Sequence, residues 1–412
     1  MTSFPLPLAE MFGHWGSLFV YFLVGMGFGF VLENAGFGNS KKLAAQFYFK
    51  DLAVFKVMFT SIIVAMSLIF LATAIGILDY NLIWVPPTYL WPGIVGGLIM
   101  GVGFIIGGFC PGTSLVAIAT AKIDGFFFVA GALIGILLFG ETVSFFDVFF
   151  DSSNYGRFTL PELFNVNYGT VVLSIVIVAL GMFFIGDKIE GMVNKTSESS
   201  LPSWALPAAV SLVALASLVF FVGQPTNQDR WQLIEIEEQA KLDQRKIQIS
   251  PAELLDLMNN TKLKPVLLDV RDETDYNQFH IFGSQLMPMD EIQTQSKAMQ
   301  LELGNTVFVL ISNDEARATE AWKILKAESV PNLYLLEGGI NGWLKVFAEV
   351  EFLEKNAIDK PENDCLAYNF EAAYGSRIEA AEPEYSKNDL RFQFDPKIIL
   401  ELKRAPTSGG CG

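Results

Sequence analysis

Long apolar runs fill the first half of the chain. Six of them are long enough for a membrane-spanning helix, which needs roughly 17–25 mostly apolar residues; they lie at residues 17–33, 54–78, 90–109, 125–146, 168–185 and 204–222. Two further apolar segments, residues 40–49 and 113–122, are too short to cross a bilayer. The pattern predicts an α-helical membrane bundle of six transmembrane helices with two short broken or re-entrant helices.

The second half alternates short apolar runs with amphipathic stretches. Residues 266–270 and 307–311 are nearly continuous apolar runs typical of buried parallel strands, and residues 333–336 form a third. Residues 319–328 have the spacing of an amphipathic helix. Such alternation predicts an α/β domain with a parallel sheet and helices on its faces.

Charge follows the same division. Residues 1–222 contain only 8 of the chain's 28 Lys and Arg and 12 of its 44 Asp and Glu, whereas about a quarter of the residues in a soluble domain are charged. We therefore predict that the first part lies in a lipid bilayer. The predicted parts are a membrane module at residues 1–222, a linker helix at 223–248, an α/β domain at 249–350 and an irregular C-terminal extension with a cysteine-containing tail at 351–412.

Composition excludes several classes of function. The net charge of −16 argues against a nucleic-acid partner, because neutralising phosphates requires clustered Lys and Arg. The only histidines are His14 and His280, and Cys110, Cys365 and Cys411 are far apart in sequence. No metal-ligand spacing is present, so we predict neither a metal site nor a cofactor.

Each short helix follows a glycine-rich break, at residues 36–40 and 107–114. Irregular backbone at membrane depth is tolerated only where it is buried in protein or lines a cavity, and paired broken helices mark binding sites in transporters. The dipole at the N-terminus of a short helix favours an anion. The predicted pathway residues are Cys110, Pro111, Gly112, Thr113 and Ser114 at one break, Gly38, Asn39 and Ser40 at the other, and the helix-end acid Glu33, for a structural or proton-coupling role.

Cys110 is the most reactive group at these breaks. Its soft sulfur can hydrogen-bond a terminal sulfur atom of a ligand or form a transient persulfide. A lone cysteine in a helix is otherwise a small packing residue. The Pro111-Gly112 sequence beside it favours the functional interpretation, since both residues free the backbone from helical bonding.

The basic residues of the short loops predict the topology. Lys41, Lys42 and Lys50 place their loop in the cytoplasm, and Lys122 and Lys188 mark two further cytoplasmic loops. The last predicted helix then runs outward. This indicates a multi-pass protein of a bacterial-type inner membrane with the α/β domain on the periplasmic side.

The membrane half resembles the YeeE/YedE family of sulfur-compound (thiosulfate-type) transporters. The matching residues are 29–40 (Gly-Phe-Val-Leu-Glu-Asn-Ala-Gly-Phe-Gly-Asn-Ser) and 107–114 (Gly-Gly-Phe-Cys-Pro-Gly-Thr-Ser), and the resemblance covers roughly residues 19–192. It implies transport of a small sulfur-containing anion, thiosulfate or a sulfide-related species. Family members commonly contain two such modules, which implies a homodimer or a partner carrying a second half-module. The family often has a cysteine near the position of Gly38.

The α/β half resembles a rhodanese over residues 249–345. The matching segments are 268–273 (Leu-Asp-Val-Arg-Asp-Glu), 279–281 (Phe-His-Ile) and 337–343 (Glu-Gly-Gly-Ile-Asn-Gly-Trp), although Phe282 stands where a proline is usual. The first segment contributes Asp269 and Arg271 to the expected site.

After the strand at 307–311, a rhodanese has Cys-x-x-x-x-Arg, whose thiolate accepts sulfur beside an anion-binding loop. Here Ser312 occupies the cysteine position and Arg317 matches the arginine, with Asp314 and Glu315 adding negative charge. A serine hydroxyl has no persulfide chemistry. We therefore predict a rhodanese-like domain that lacks its catalytic cysteine and serves for binding or sulfur hand-over, not a self-contained sulfurtransferase.

Two alternatives remain open at this stage. Cys411, on a Ser-Gly-Gly arm, could carry a persulfide and make the chain a membrane-tethered sulfurtransferase; its other interpretations are a disulfide with Cys365, if the domain is external, or an incidental tail residue. A plain membrane anchor with a scaffold domain is the third possibility. It fits poorly with two glycine-broken helices.

Overall fold

The computed structural model describes residues 4–6, 8–83, 85–194, 204–302, 304–358, 363–388 and 394–401. The described residues form two compact units, one up to Gln224 and one from Pro225 onward. Cys411 lies outside the described residues.

The regular elements of the first unit are helices over the residues described. Its helices are α1 Leu8–Asn34, α2 Ser40–Ala45, α3 Ala53–Ala74, α4 Leu90–Gly107, α5 Pro111–Ala119, α6 Ile123–Thr142, α7 Asp147–Phe150, α8 Leu160–Phe164, α9 Tyr168–Asn194 and α10 Ala205–Val222. Six segments of the described chain are long and apolar enough to cross a membrane, with α4 and α5 together forming one of them, Leu90–Ala119. The predicted bundle of six spanning helices and two short ones is confirmed.

Two groups of buried side chains hold this unit together. Helices α3, α9 and α10 share one group, in which Gly169 lets α9 approach α10 so closely that a Cβ atom would lie 2.7 Å from Phe220 Cα. The second group includes Phe37 and Phe109, the residues just before Gly38 and Cys110. The two helix breaks therefore contribute to one core.

The second unit alternates strands and helices. Its elements are α11 Asn227–Asp243, β1 Gln248–Ile249, α12 Pro251–Met258, β2 Lys264–Asp269, α13 Glu273–Gln278, β3 Gln285–Leu286, α14 Ile292–Leu301, β4 Thr306–Ile311, α15 Ala316–Ala327, β5 Leu333–Leu336, α16 Gly339–Phe347, α17 Val350–Asn356 and α18 Tyr385–Asn388. The five strands pair in parallel in the order β1-β5-β4-β2-β3. The predicted parallel α/β fold is confirmed.

The register of the sheet positions the candidate site of this unit. Strand β4 is buried along its whole length, as expected for a central strand covered on both faces. Its last residue, Ile311, pairs with Asp269, the last residue of β2. The loops that follow both strands therefore begin at the same edge of the sheet.

Two segments outside the α/β repeat also pack on this unit. Helix α11 stacks Trp231 edge-on against Trp322 of α15, with 6.0 Å between the ring centroids. The stretch after α17 is irregular, but Leu366 and Tyr368 are buried in the core. The apolar side chains of these segments explain why they pack on the α/β fold.

Candidate functional site

Cys110 caps a short helix in the membrane unit. Helix α4 ends at Gly107, the next residue, Gly108, has a left-handed φ of +72°, and α5 begins at Pro111. The Cys110 sulfur accepts a hydrogen bond from the Thr113 amide (3.4 Å), while Thr113 Oγ1 accepts from the Cys110 amide (3.0 Å). Ser, Thr, Asn and Asp are the usual residues at this position. The half-buried thiol of Cys110 is thus fixed at the N-terminus of α5.

The predicted hydroxyl and amide donors of this break are used inside the turn. Ser114 Oγ donates to the Pro111 carbonyl (2.7 Å), and the Ser114 amide donates to the Cys110 carbonyl (3.0 Å). Both Thr113 and Ser114 are buried. A ligand at this break would have to compete with these bonds, so the thiol is the group that distinguishes the site.

The first break lies directly against the second. Asn39 caps α2, its Oδ1 accepting from the Lys41 amide at 3.1 Å. Ser40 Oγ donates to Asp124 Oδ2 at 2.6 Å. A Cβ atom at Gly108 would lie 3.1 Å from Ser40 Cβ, so only glycine lets the two breaks pack this closely. The structure therefore brings the two predicted sets of residues together.

Gly38 is surrounded by charged and polar groups. A Cβ atom at this buried position would lie 2.9 Å from Glu33 Oε2, 3.0 Å from Lys122 Nζ and 3.5 Å from Thr120 Oγ1. An anionic and a cationic group thus approach the same point. In the sequence, Lys122 was informative only for topology; its place just after α5 is the signal that could have connected it with the breaks.

In the second unit, Asp269 and Arg271 form a fully buried ion pair. Arg271 Nη2 donates to Asp269 Oδ2 (2.7 Å) and its Nε donates to Oδ1 (2.9 Å). Arg271 also donates to Asn313 Oδ1 (3.1 Å) and to the Phe279 carbonyl (2.7 Å). Such a pair is stable only when its remaining donors are satisfied, as they are here. Through its hydrogen bond to Asn313, the ion pair supports the loop after β4.

Ser312 begins that loop and is completely buried. Its Oγ accepts from the Ala318 amide (3.2 Å), and its carbonyl accepts from the Ile340 amide (2.8 Å). A Cβ atom at Gly339, where φ is +57°, would overlap the carbonyl oxygens of Ser312 and Asp314. Glycine at this position lets the start of α16 lie against the loop.

The loop ends in a dense set of charges. The Arg317 amide donates to Asp364 Oδ2 (3.0 Å), while its guanidinium pairs with Asp272 at 3.0 Å on the surface. Glu315 turns away from the loop and pairs with Arg245 at 2.8 Å. Burial raises the pKa of Asp364. Burial acts in the same sense on Asp314, but backbone amides outweigh it and hold the pKa of Asp314 below its usual value.

Comparison with known families identifies both units. Residues 34–239, half of the chain, match the family described as Sulphur transport. The chain belongs to the sulphur transport family. Residues 250–346 match the rhodanese-like domain. The chain is therefore a fusion of a sulphur transport module with a rhodanese-like domain, as its resemblances predicted, and a multi-pass membrane protein.

Three proteins resemble this sulphur transport family member over shorter stretches. The probable adenylyltransferase/sulfurtransferase MoeZ of Mycobacterium tuberculosis is 33% identical over 97 residues, 24% of each protein. The tRNA uridine(34) hydroxylase of Protochlamydia amoebophila is 28% identical over 116 residues, 27% of this chain and 36% of that protein. The centrosomal protein of 41 kDa of Bos taurus is 34% identical over 105 residues, 22% and 27% respectively. The chain thus spans 24–36% of the length of these relatives.

Proposed function

We propose that the membrane unit carries a small sulfur-containing anion, thiosulfate or a sulfide-related species, past Cys110. The observation that carries the proposal is the packing of the two helix breaks, with a thiol at the start of α5 and Ser40 against Gly108. Membership of the sulphur transport family supports the class of substrate. The substrate contacts the thiol through its terminal sulfur and gains from the N-terminal dipole of α5.

The charges beside Gly38 support an anion pathway. Lys122 supplies the positive charge near the two breaks, while Glu33 approaches the same point from α1. In this proposal, Lys122 attracts the anion and Glu33 limits how tightly it binds, so release is fast. Gly38, Asn39 and Ser40 shape the second wall of the pathway.

We also propose that the rhodanese-like domain lacks its catalytic cysteine and binds or hands over sulfur compounds. The fully buried Ser312 occupies the position after β4, with its hydroxyl bonded to the start of α15. Such a hydroxyl has neither the acidity nor the redox chemistry of a thiol.

Uptake of ³⁵S-thiosulfate into proteoliposomes tests the transport proposal. Cys110→Ala is expected to reduce initial uptake by about tenfold or more, the effect of losing one hydrogen bond to a charged ligand. Cys365→Ser, which changes an exposed thiol of the other unit, is the matched control and should leave uptake unchanged. Uptake that is the same in Cys110→Ala and in the unaltered protein would remove the thiol from the mechanism.

The similarity to a probable adenylyltransferase/sulfurtransferase favours a second candidate, a membrane-tethered sulfurtransferase that uses Cys411 as its persulfide carrier. Purified protein incubated with thiosulfate and cyanide would then form thiocyanate. Removal of residues 409–412 should abolish that activity. Transport without thiocyanate formation would support the first candidate alone.

We further propose that two copies of the membrane unit assemble in the bilayer. Glycines four residues apart, a spacing that favours close helix packing in membranes, occur on three helices. They are Gly25 and Gly29 on α1, Gly97 and Gly101 on α4, and Gly131 and Gly135 on α6. Apart from its chain neighbours and the nearby backbone of its own helix, a Cβ atom at each would meet no atom of the described residues within 4 Å. Gly97→Leu should shift the protein from dimer to monomer in native mass spectrometry.

The loop charges support one side of the membrane for the rhodanese-like domain. We propose that it faces the periplasm of a bacterial-type inner membrane. Protease added to intact spheroplasts should then cleave the domain. Cleavage only after lysis would show that the domain faces the cytoplasm instead.

A further inference from the structure

Every backbone amide of residues 313–317 donates to a carboxylate of this chain. Asp364 accepts from three of them, its Oδ1 from Asn313 (2.9 Å) and Asp314 (3.1 Å) and its Oδ2 from Arg317 (3.0 Å). The two amides between Asp314 and Arg317 donate to Asp314 Oδ1. The loop is therefore a complete binding site for negative oxygen atoms, and this chain fills it.

Asp364 is held in the way that an oxyanion would be held. Its two oxygens are bound separately, and Arg317 lies in the first turn of α15, where the helix dipole favours negative charge. Fifty residues separate Asp364 from Asp314 in the sequence. The contact is therefore a product of the folded domain and not of a local turn.

The segment around Asp364, residues 363–367, is named the strap here. The Asp364 carbonyl accepts from Asn313 Nδ2 at 2.8 Å. The side-chain amide of Asn341 holds the strap at two further points, one of them the Cys365 carbonyl at 2.9 Å. The loop, through Asn313, and helix α16, through Asn341, thus both hold the strap in place.

Two features of Asp364 oppose this arrangement. Its φ of +55° lies in the left-handed region, which is unfavourable for a residue with a side chain. Its half-buried carboxylate lies close to that of Asp314, which accepts a hydrogen bond from the Asp364 amide (2.9 Å). The amide contacts therefore hold a residue whose backbone and charge both favour release.

We propose that the strap is an autoinhibitory contact, in which Asp364 occupies the loop in place of a small sulfur oxyanion. Release of the strap presents the three amides and the Arg317 guanidinium to the anion. The present partner of that guanidinium, Asp272, is exposed, so their ion pair is weak. The strap acts within the rhodanese-like domain and does not depend on the transport proposal.

Hydrogen–deuterium exchange of the full-length protein in detergent tests the strap, with sodium thiosulfate as the probe anion. In the unaltered protein the amides of residues 313–317 exchange slowly, and thiosulfate has no effect. In Asp364→Ala the amides of Asn313, Asp314 and Arg317 are expected to exchange at least about tenfold faster, since each loses its hydrogen bond to a charged acceptor. Thiosulfate should then slow them again in a saturable manner.

Glu371→Ala removes an exposed acid that follows the strap in the sequence, and it serves as the matched control that should leave loop exchange unchanged. If Asp364→Ala fails to fold, Asp364→Asn keeps the shape and the oxygen that accepts from Asn313 and Asp314, and it should speed exchange only at the Arg317 amide, whose acceptor becomes an NH2 group. Loop exchange as slow in the folded variants as in the unaltered protein would overturn the proposal. Faster exchange that thiosulfate does not slow would also overturn it, because Asp364 would then stabilise the loop without occupying an anion-binding site.

Discussion

At Cys110 in the membrane unit and at Ser312 in the rhodanese-like domain, irregular backbone leads into the N-terminus of a helix. The Cys110 thiol is half-buried and caps its helix directly. The Ser312 hydroxyl is fully buried, and the amides that follow it are occupied by carboxylates. The same local geometry is thus combined with a thiol in one unit and with an internal anion in the other.

The difference shows that a helix start does not by itself define an anion site. What matters is which groups already occupy its amides. In the rhodanese-like domain, two acids of the chain take all five loop amides, whereas in the membrane unit the thiol itself is part of the cap. Our proposal therefore assigns the sulfur chemistry of the chain to Cys110 and not to Ser312.

The largest expected effect comes from removing the support beneath the loop at Ser312. Arg271→Ala leaves the Asp269 carboxylate buried without its partner, and the free energy of unfolding of the domain should fall by about 3–5 kcal/mol. Urea denaturation followed by tryptophan fluorescence measures this. Lys264→Ala, which breaks an exposed pair with Glu302, should cost less than about 1 kcal/mol. Equal losses would mean that the buried pair does not support the loop.

A smaller effect is expected from separating the two breaks of the membrane unit. Gly108→Ala places a side chain at a left-handed φ and within 3.1 Å of Ser40, which should cost about 1–3 kcal/mol. Thermal unfolding in detergent measures the change. Gly103→Ala, at a position on α4 that is open in the structure, is the control. A Gly108 variant as stable as the control would show that the breaks do not need to touch.

Exchanging one atom at Cys110 sharpens the comparison further. Cys110→Ser makes the cap of α5 chemically similar to Ser312, and because serine is a good N-cap its effect on stability should stay within about 0.5 kcal/mol. Thiosulfate uptake should nevertheless fall, since the soft sulfur is lost. Full uptake by this variant would show that Cys110 serves only as the cap of α5.

The smallest expected effect is the response of the strap to pH. Burial raises the folded-state pKa of Asp364 above its usual 3.8. The stabilisation that this raised pKa gives to the strap bound in the loop is therefore fully present below pH 3.8. It decreases as the pH rises through the folded-state pKa. Loop exchange, corrected for its intrinsic pH dependence, should accelerate over this range, and Asp364→Asn should remove that acceleration. An identical pH profile in the variant would exclude Asp364 as the titrating group.

The sequence predicted the architecture of both units because their signals are local. Apolar length specifies the spanning helices. The glycines at residues 36, 38, 107 and 108 mark the breaks after which α2 and α5 begin. The alternation of strands and helices in the second half likewise predicted its parallel sheet. These features need no knowledge of tertiary contacts.

The contacts at the candidate sites could not be predicted in the same way. Asp364 lies in an irregular stretch without periodicity, and only the folded domain brings it to Arg317. Lys122 reaches Gly38 from a distant part of the chain, although its charge alone suggested only topology. Side chains that meet across long sequence separations leave no pattern in one sequence.

Helix α11 affects how fragments of this protein should be cut. The sulphur transport match ends at residue 239, inside α11, whereas the rhodanese-like match begins at residue 250. Yet α11 covers Trp322 with Trp231, and Asn227 donates to the Ile324 carbonyl. A fragment that starts at residue 250 would expose the indole ring of Trp322 to water and tend to aggregate. A fragment that starts near residue 225 would keep α11 packed over that ring.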